Sequence, residues 1–186
     1  MISDNADGSS AAFRKHEFRL EASVPGFSVL DEVKTLSKPD FCLIRLEKKL
    51  KHGTRLTDEV MEVLPDENTV ERKTAKGGST KIPVQGCVRD ALTFIYYFRQ
   101  EIKAGRVPAG QRVFFGSSYQ VESKYLGAQS VSLPAGPEAT DKFQIVIQGP
   151  VGKHSLEVFF GRDSERTPLL FRLPLILGTF SMELQR

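Results

Sequence analysis

Two cysteines, three histidines, a glycine-rich run and a basic run are the places where this 186-residue chain could do chemistry. Cys42 and Cys87 lack the CxxC spacing of a zinc knuckle. They read either as two separate buried thiols or as a disulfide, which requires an oxidising compartment. His154 and Ser155 with Asp163 have the residue types of a hydrolase triad. They lack a GxSxG elbow and fall in a candidate hairpin, so they read as surface polar residues. His16, His52 and His154 show no HxxxH or HExxH spacing and read as solvent-facing rather than metal-binding. Gly77-Gly78-Ser79-Thr80-Lys81 has neither the order of a phosphate loop nor a helix directly behind it. The basic run Arg45, Lys48, Lys49, Lys51, His52 and Arg55 has only Phe41 nearby as a base-stacking aromatic. It reads as a solvated strand face whose charges also blunt a sheet edge. The expectation is therefore a non-enzymatic protein with no cofactor, no metal and no nucleic-acid partner.

The elements that must position these residues are mostly strands. The composition is that of an ordinary globular protein, 40% hydrophobic and 26% charged, with a net charge of +3. No apolar run approaches the roughly 18 residues of a membrane-spanning helix. Residues 1–12 are small and polar, lack the features of a signal peptide, and read as a flexible tail. Residues 13–186 show no linker and no repeat, so they read as a single β-rich domain.

Alternation at a period of two marks strands over 13–24 and 27–36, with a turn at Pro25-Gly26. Residues 41–50 read as a strand with Cys42, Ile44, Leu46 and Lys48 on one face; Leu43, Leu46 and Leu50 also fit a helical spacing, but the hairpin that follows favours the strand. A hairpin at His52-Gly53 leads into 57–64, and 69–76 returns before a loop at 77–79. Residues 90–103 break the alternation. Asp90 is a good N-cap, Gly105 a good stop, and the apolar residues cover most of the circumference, as in a buried helix. Strand signals resume at 112–115, 119–126, 129–133, 143–148, 154–160, 167–173 and 175–184. Pro174 and Gly178 imply a bulge or break in the last stretch.

Two segments carry a resemblance to a known family. They are the helix DALTFIYYFR over residues 90–99 and the closing pattern VFFGRDSERTPLLFRLPLILGTFSMEL over residues 158–184. Together they resemble the bacterial family called domain of unknown function 3108, over about residues 13–186. Arg162-Asp163-Ser164-Glu165-Arg166 takes the place of the family's polar turn, and residues 178–184 that of its last strand. The resemblance implies an exported, periplasmic or envelope-associated protein with a curved antiparallel sheet, similar to the half-barrels of lipoprotein carriers. It brings no established activity. Family members usually carry a signal peptide and further strands ahead of the region that matches Phe13. This chain shows neither, which leaves a cytoplasmic location open.

The expected fold is thus mainly β: a curved antiparallel sheet or half-barrel wrapped on one buried helix. The expected function is a cell-envelope protein that binds a lipid or other apolar ligand in the concave sheet, with Phe94, Tyr96, Tyr97 and Phe98 lining the groove. The alternative is a structural or interaction module with no small ligand, partnered by another envelope protein. Cys42, on a strand, and Cys87, in the loop before the helix, are expected to lie within disulfide reach. The first strand is expected to have an unpaired edge, open to homodimerisation or aggregation.

Overall fold

The computed structural model describes residues 13–24, 26–150, 152–175 and 178–183. The tail expected over 1–12, Pro25 of the first turn, and Leu184 of the closing strand lie outside the described residues. As the alternation implies, the fold is mainly β, with one α-helix among the described residues. The strands are β1 (Arg14–Val24), β2 (Phe27–Ser37), β3 (Leu43–His52), β4 (Arg55–Leu64), β5 (Thr69–Thr74) and β6 (Ser79–Pro83), then β7 (Gln111–Phe114), β8 (Ser118–Leu133), β9 (Gly136–Gly149), β10 (Gly152–Gly161), β11 (Pro168–Leu175) and β12 (Gly178–Glu183). The helix α1 (Ala91–Lys103) lies between β6 and β7. The strands form two six-stranded sheets, ordered β1-β2-β3-β4-β5-β6 and β12-β11-β10-β9-β8-β7. Their order is sequential, so each pair is a hairpin neighbour, and neither sheet closes into a barrel. The chain divides into two compact units, one running through Phe94 together with Phe114–Gly116, the other holding Ile95–Val113 and the chain from Ser117 on.

In the first unit, tight turns set the register. His52 pairs with Arg55 across Gly53-Thr54, and Gly53 has the positive φ that such turns need. The core gathers Val33, Leu43, Leu46, Met61, Val70, Val88 and Phe114. One feature departs from strict alternation. Leu36 pairs with Arg45 but Ser37 pairs with Leu43, so Ile44 is an extra residue, a β-bulge. The bulge moves the inward face from Ile44 to Leu43, which is buried while Ile44 is half-exposed. The face expected from alternation, Cys42 and Ile44 with Leu46, is therefore correct only from Leu46 onward. Ser79, expected in the loop at 77–79, begins the edge strand β6 over 79–83, which the sequence reading does not assign and which pairs with β5 from Thr69↔Pro83 to Lys73↔Ser79. The Gly77-Gly78 signal marks only the turn between them.

In the second unit, two segments expected as separate strands, 119–126 and 129–133, are one strand, β8. A bulge at Leu126 absorbs the change of phase and keeps the pairing with β9 unbroken. β9 in turn begins at Gly136, earlier than the alternation of 143–148 suggests.

The helix starts where Asp90 predicts. Its Oδ1 accepts hydrogen bonds from the N–H groups of Leu92 (2.7 Å) and Thr93 (2.9 Å). Thr93 Oγ1 accepts reciprocally from the Asp90 N–H at 2.9 Å. The helix stops at Gly105, whose φ of 75° allows the N–H groups of Gly105 and Arg106 to reach back to the carbonyls of Ile102 and Glu101. The fully turned-in stripe is Phe94, Phe98 and Ile102, at helical spacing, while Tyr96 and Tyr97 are half-buried. The helix is thus buried on one stripe rather than nearly all round. In the second unit Phe98 stacks on Phe160 (5.3 Å between centroids) and meets Phe143 edge-on (5.1 Å). This is one place where the chain's many phenylalanines go: Phe98 and Phe160 lie nearly parallel, and Phe143 meets both edge-on. Because Phe98 is fully buried, Phe98→Ala is expected to cost about 3–5 kcal/mol of unfolding free energy. Tyr96→Ala, at a half-buried site, is expected to cost clearly less. Urea denaturation of both variants measures the difference.

Candidate functional site

Cys42 and Cys87 are joined by a disulfide, with Cα atoms 5.1 Å apart. Cys42 lies one residue before β3, and Cys87 lies in the loop that leads to α1. Local backbone bonds fix both ends. Cys42 accepts a hydrogen bond from the Lys38 N–H and donates its own to Asp40 Oδ1, and the next residue, Leu43, donates to the Val88 carbonyl. An Asp40 carboxylate oxygen lies within 4.8 Å of both sulfurs. Sulfurs bonded to each other are not thiolates, so the oxidised pair is not a metal site.

The disulfide forms one wall of a cavity of about 500 Å³. Most of the remaining lining is aliphatic, with Leu43, Ile44, Val63, Leu64, Val84 and Val88, and Asn68 adds a polar side chain. The bulge at Ile44 helps make it, because it frees that side chain from the sheet's regular alternation. Lys38 adds a cation to the same lining. The four aromatic residues expected to line an apolar groove are placed differently. Phe94 is buried, Phe98 is packed among rings, Tyr96 lies under the Arg99 guanidinium, and none of the four lines this cavity.

A second set of groups lies in the first sheet. Lys48 and Glu59 face each other across β3 and β4, both buried, with Nζ and Oε2 3.0 Å apart. Arg72 of β5 holds the other carboxylate oxygen of Glu59. Burial alone would push the Glu59 carboxyl up, but Arg72 and Lys48 outweigh it and leave the carboxyl below its ordinary range. The Lys48 ammonium also lies 4.7 Å from the centre of the Phe115 ring. Gly116 leaves room for it: a Cβ there would come within 3.0 Å of Nζ, and its φ of 82° disfavours any other residue. Lys48 is thus no part of a solvated face, contrary to the reading of the basic run. The signal for this was its phase, two residues on from Leu46.

His16 is likewise buried rather than solvent-facing, since it shares the inward phase of Phe18. Its Nε2 lies 3.4 Å from Ser37 Oγ. A serine beside a histidine suggests a nucleophile and base, but Ser37 is fully buried, so no substrate reaches its hydroxyl. Burial, with a smaller contribution from Arg14, pushes the His16 pKa down to about 4, which makes it a weak base. Thr35 on the neighbouring strand donates to Asp90 Oδ2 at 2.8 Å. Burial pushes the Asp90 carboxyl up, and hydrogen bonds from Thr93, Thr35 and Leu92 offset part of the rise.

In the second unit the polar turn has a defined job. Asp141 on β9 accepts from Arg162 (2.9 Å), Arg166 (2.7 Å) and the Tyr125 hydroxyl (2.9 Å). Burial raises its carboxyl, and these donors more than reverse that. Asp163 Oδ1 accepts the Glu165 N–H at 2.8 Å and so shapes the turn itself. Arg99 of α1 donates to the Glu165 carbonyl and Lys103 to its carboxylate. Asp163 is thereby committed to its own turn, and His154 is an exposed residue of β10 paired with Ile147. These residues do not form a triad.

The described residues define a mainly-β protein with two antiparallel sheets, one helix and a disulfide-walled aliphatic cavity in its first unit. The chain belongs to the family described as Protein of unknown function (DUF3108), which matches residues 19–185. No curated protein and no solved structure matches it.

The buried imidazole has a measurable consequence. A histidine held neutral in the folded state contributes its full stability above its unfolded pKa of about 6.5, and that contribution is lost as pH falls toward the folded value of about 4. Glu59 and Asp141, whose pKa values lie below their ordinary ones of 4.5 and 3.8, lose their contribution only at lower pH still. Between about pH 6.5 and about pH 4.5, the His16 contribution to unfolding free energy is therefore expected to fall by roughly 2–3 kcal/mol, opposed by Asp90, whose raised carboxyl favours the folded state as pH falls. His16→Gln is expected to flatten most of that slope. Denaturant unfolding across this range, for both proteins, is the check.

Proposed function

We propose that this chain is a non-catalytic binding protein of the bacterial cell envelope that holds an acyl chain in the cavity beside Cys42–Cys87. The observation that carries the reading is a disulfide-walled, aliphatic cavity of about 500 Å³. Disulfides persist in oxidising compartments such as the periplasm, and reducing ones remove them. The cavity's volume falls within the range of about 300–1,000 Å³ typical of small-molecule sites. Its lining of Leu, Ile and Val side chains suits a flexible aliphatic chain better than a polar ligand. Lys38 supplies a cation for a carboxylate or phosphate head. A non-catalytic role is favoured because the groups with chemical potential are committed elsewhere. Ser37 is sealed in, His16 is a weak base, and Asp141 is held by two guanidinium groups.

A second reading, an interaction module with no small ligand, is favoured by one observation. β1 is an eleven-residue strand at the edge of the first sheet, with β2 as its neighbour in the sheet order.

Native mass spectrometry with a long-chain saturated fatty acid tests the first reading. The wild-type protein is expected to retain one fatty acid. Val63→Trp, which fills the cavity from β4, is expected to bind about tenfold more weakly or worse, with a melting temperature close to that of the wild type. A bare wild-type mass, or equal retention by the two proteins, overturns the acyl-chain reading.

A further inference from the structure

The edge of β1 has a pattern that selects its own partner. In an antiparallel ladder, paired residues alternate between those that exchange backbone hydrogen bonds and those that do not. Val24 pairs with Phe27 across a two-residue link, and the pair that closes such a link exchanges bonds. Counting back, Leu20, Phe18 and His16 turn their N–H and C=O groups to β2. Lys15, Glu17, Arg19 and Glu21 turn theirs outward. A bond on the far side of β2 agrees with this phase: the Ser28 carbonyl, opposite Ser23, accepts from the Gly53 N–H and so points away from β1.

The outward-bonding residues are all exposed and alternate in sign: Lys15 positive, Glu17 negative, Arg19 positive, Glu21 negative. Charged side chains on an edge strand discourage further pairing. Alternating charge does not block every partner; it selects a register. We propose that β1 pairs antiparallel with β1 of a second copy of this chain, about a two-fold axis through Phe18. This deepens the interaction-module reading and rests on it, by naming the partner and its register; it does not depend on the cavity.

In this register Glu17 faces the second copy's Arg19, and Lys15 faces its Glu21. Symmetry repeats each pair, giving opposite charges at every charged outward position from Lys15 to Glu21. All four residues have the outward backbone phase that a bonded ladder needs. Moving the axis by one residue reverses the outcome. An axis on Glu17 sets Glu17 against itself and Lys15 against Arg19. An axis on Arg19 sets Arg19 against itself and Glu17 against Glu21. Opposite charges directly across a ladder stabilise by about 0.2–1 kcal/mol per pair, and like charges destabilise. On the other face Phe18 meets Phe18 in the closer, non-bonded type of pair, and His16 meets Leu20. The ion pairs these residues make within one chain, such as Arg19 with Glu32 at 3.1 Å and Lys34 with Glu17 at 3.9 Å, are exposed and easily exchanged. The other sheet edges fit a partner less well. β6 has five residues and ends in Pro83, β7 has four and β12 six.

Charge reversal read by analytical ultracentrifugation tests the register. The wild-type chain is expected to form a concentration-dependent dimer. Glu17→Lys and Arg19→Glu are each expected to weaken it about tenfold or more, since each creates two like-charge pairs. The double variant Glu17→Lys/Arg19→Glu restores opposite charges and is expected to recover the wild-type dimer. Thermal melts of the monomers confirm that these exposed changes leave the fold intact. A dimer indifferent to both single reversals overturns the proposal. So does a chain that stays monomeric at every concentration. In that second case hydrogen exchange separates the two ideas. Fast exchange at the Glu17 and Arg19 amides removes only the second copy and leaves an open edge for another partner. Protection of those amides removes the interaction-module reading as well.

Discussion

A covalent tie between the start of β3 and the loop before the helix is the constraint on which the first unit depends. Cys42–Cys87 closes 45 residues of chain that include β3 to β6. In the chain-entropy account, closing a loop of that size stabilises the folded state by about 4 kcal/mol. Its structural effect is local as well. The tie holds Val88 where Leu43 can donate to its carbonyl, and two residues later Asp90 is placed under Thr35. Asp90 is then able to cap the first turn of α1 while fully buried. Cap, cavity wall and helix start are thus consequences of one bond and the short run of backbone that follows it.

The first unit also carries several buried polar groups. Lys48, Glu59, His16, Thr35, Ser37 and Asp90 are all buried. Each would cost several kcal/mol if left without partners. Glu59 is answered by two cations, Asp90 by three donors, and Lys48 also by an aromatic ring and the space left at Gly116. In the second unit Asp141 plays the corresponding part, drawing Arg162 and Arg166 of one turn onto β9. Groups that look reactive in the sequence are used to fix strands and turns in place. The cavity, by contrast, is bounded mostly by aliphatic side chains and the disulfide, with Lys38 and Asn68 as polar members of the lining. That division of labour supports the proposed binding role.

Much of the fold was legible because hairpin neighbours and local signals dominate it. Asp90, Gly105 and the loss of alternation define α1 without reference to the rest of the chain. The period of two, with turns such as Gly53-Thr54, defines most strands. The failures have identifiable causes. Bulges at Ile44 and Leu126 shift the phase by one residue; Gly127, at a φ of 111°, marks the second, and nothing in the local residue types announces the first. Gly77-Gly78 is a strong turn signal, and β6 beside it has five residues, too few for a clear pattern. The residue types of Lys48 and His16 imply solvent, whereas their phase beside Leu46 and Phe18 points inward, where both are buried. The cavity was not legible at all. Its lining comes from the start of β3, the end of β4 and residues 84–88, and only the sheet register and the disulfide bring those segments together.

The central claim is that this protein works with the wall of its cavity covalently closed. Its most direct test is the thiol state of Cys42 and Cys87 in protein taken from its native compartment and trapped at once with an alkylating reagent. Peptide mass spectrometry reads the result. The account predicts that neither cysteine carries the label until a reductant is added, and that the peptides holding them are recovered linked. Label on both cysteines without reduction would contradict it, because the cavity would then lack its wall and the protein would belong to a reducing compartment.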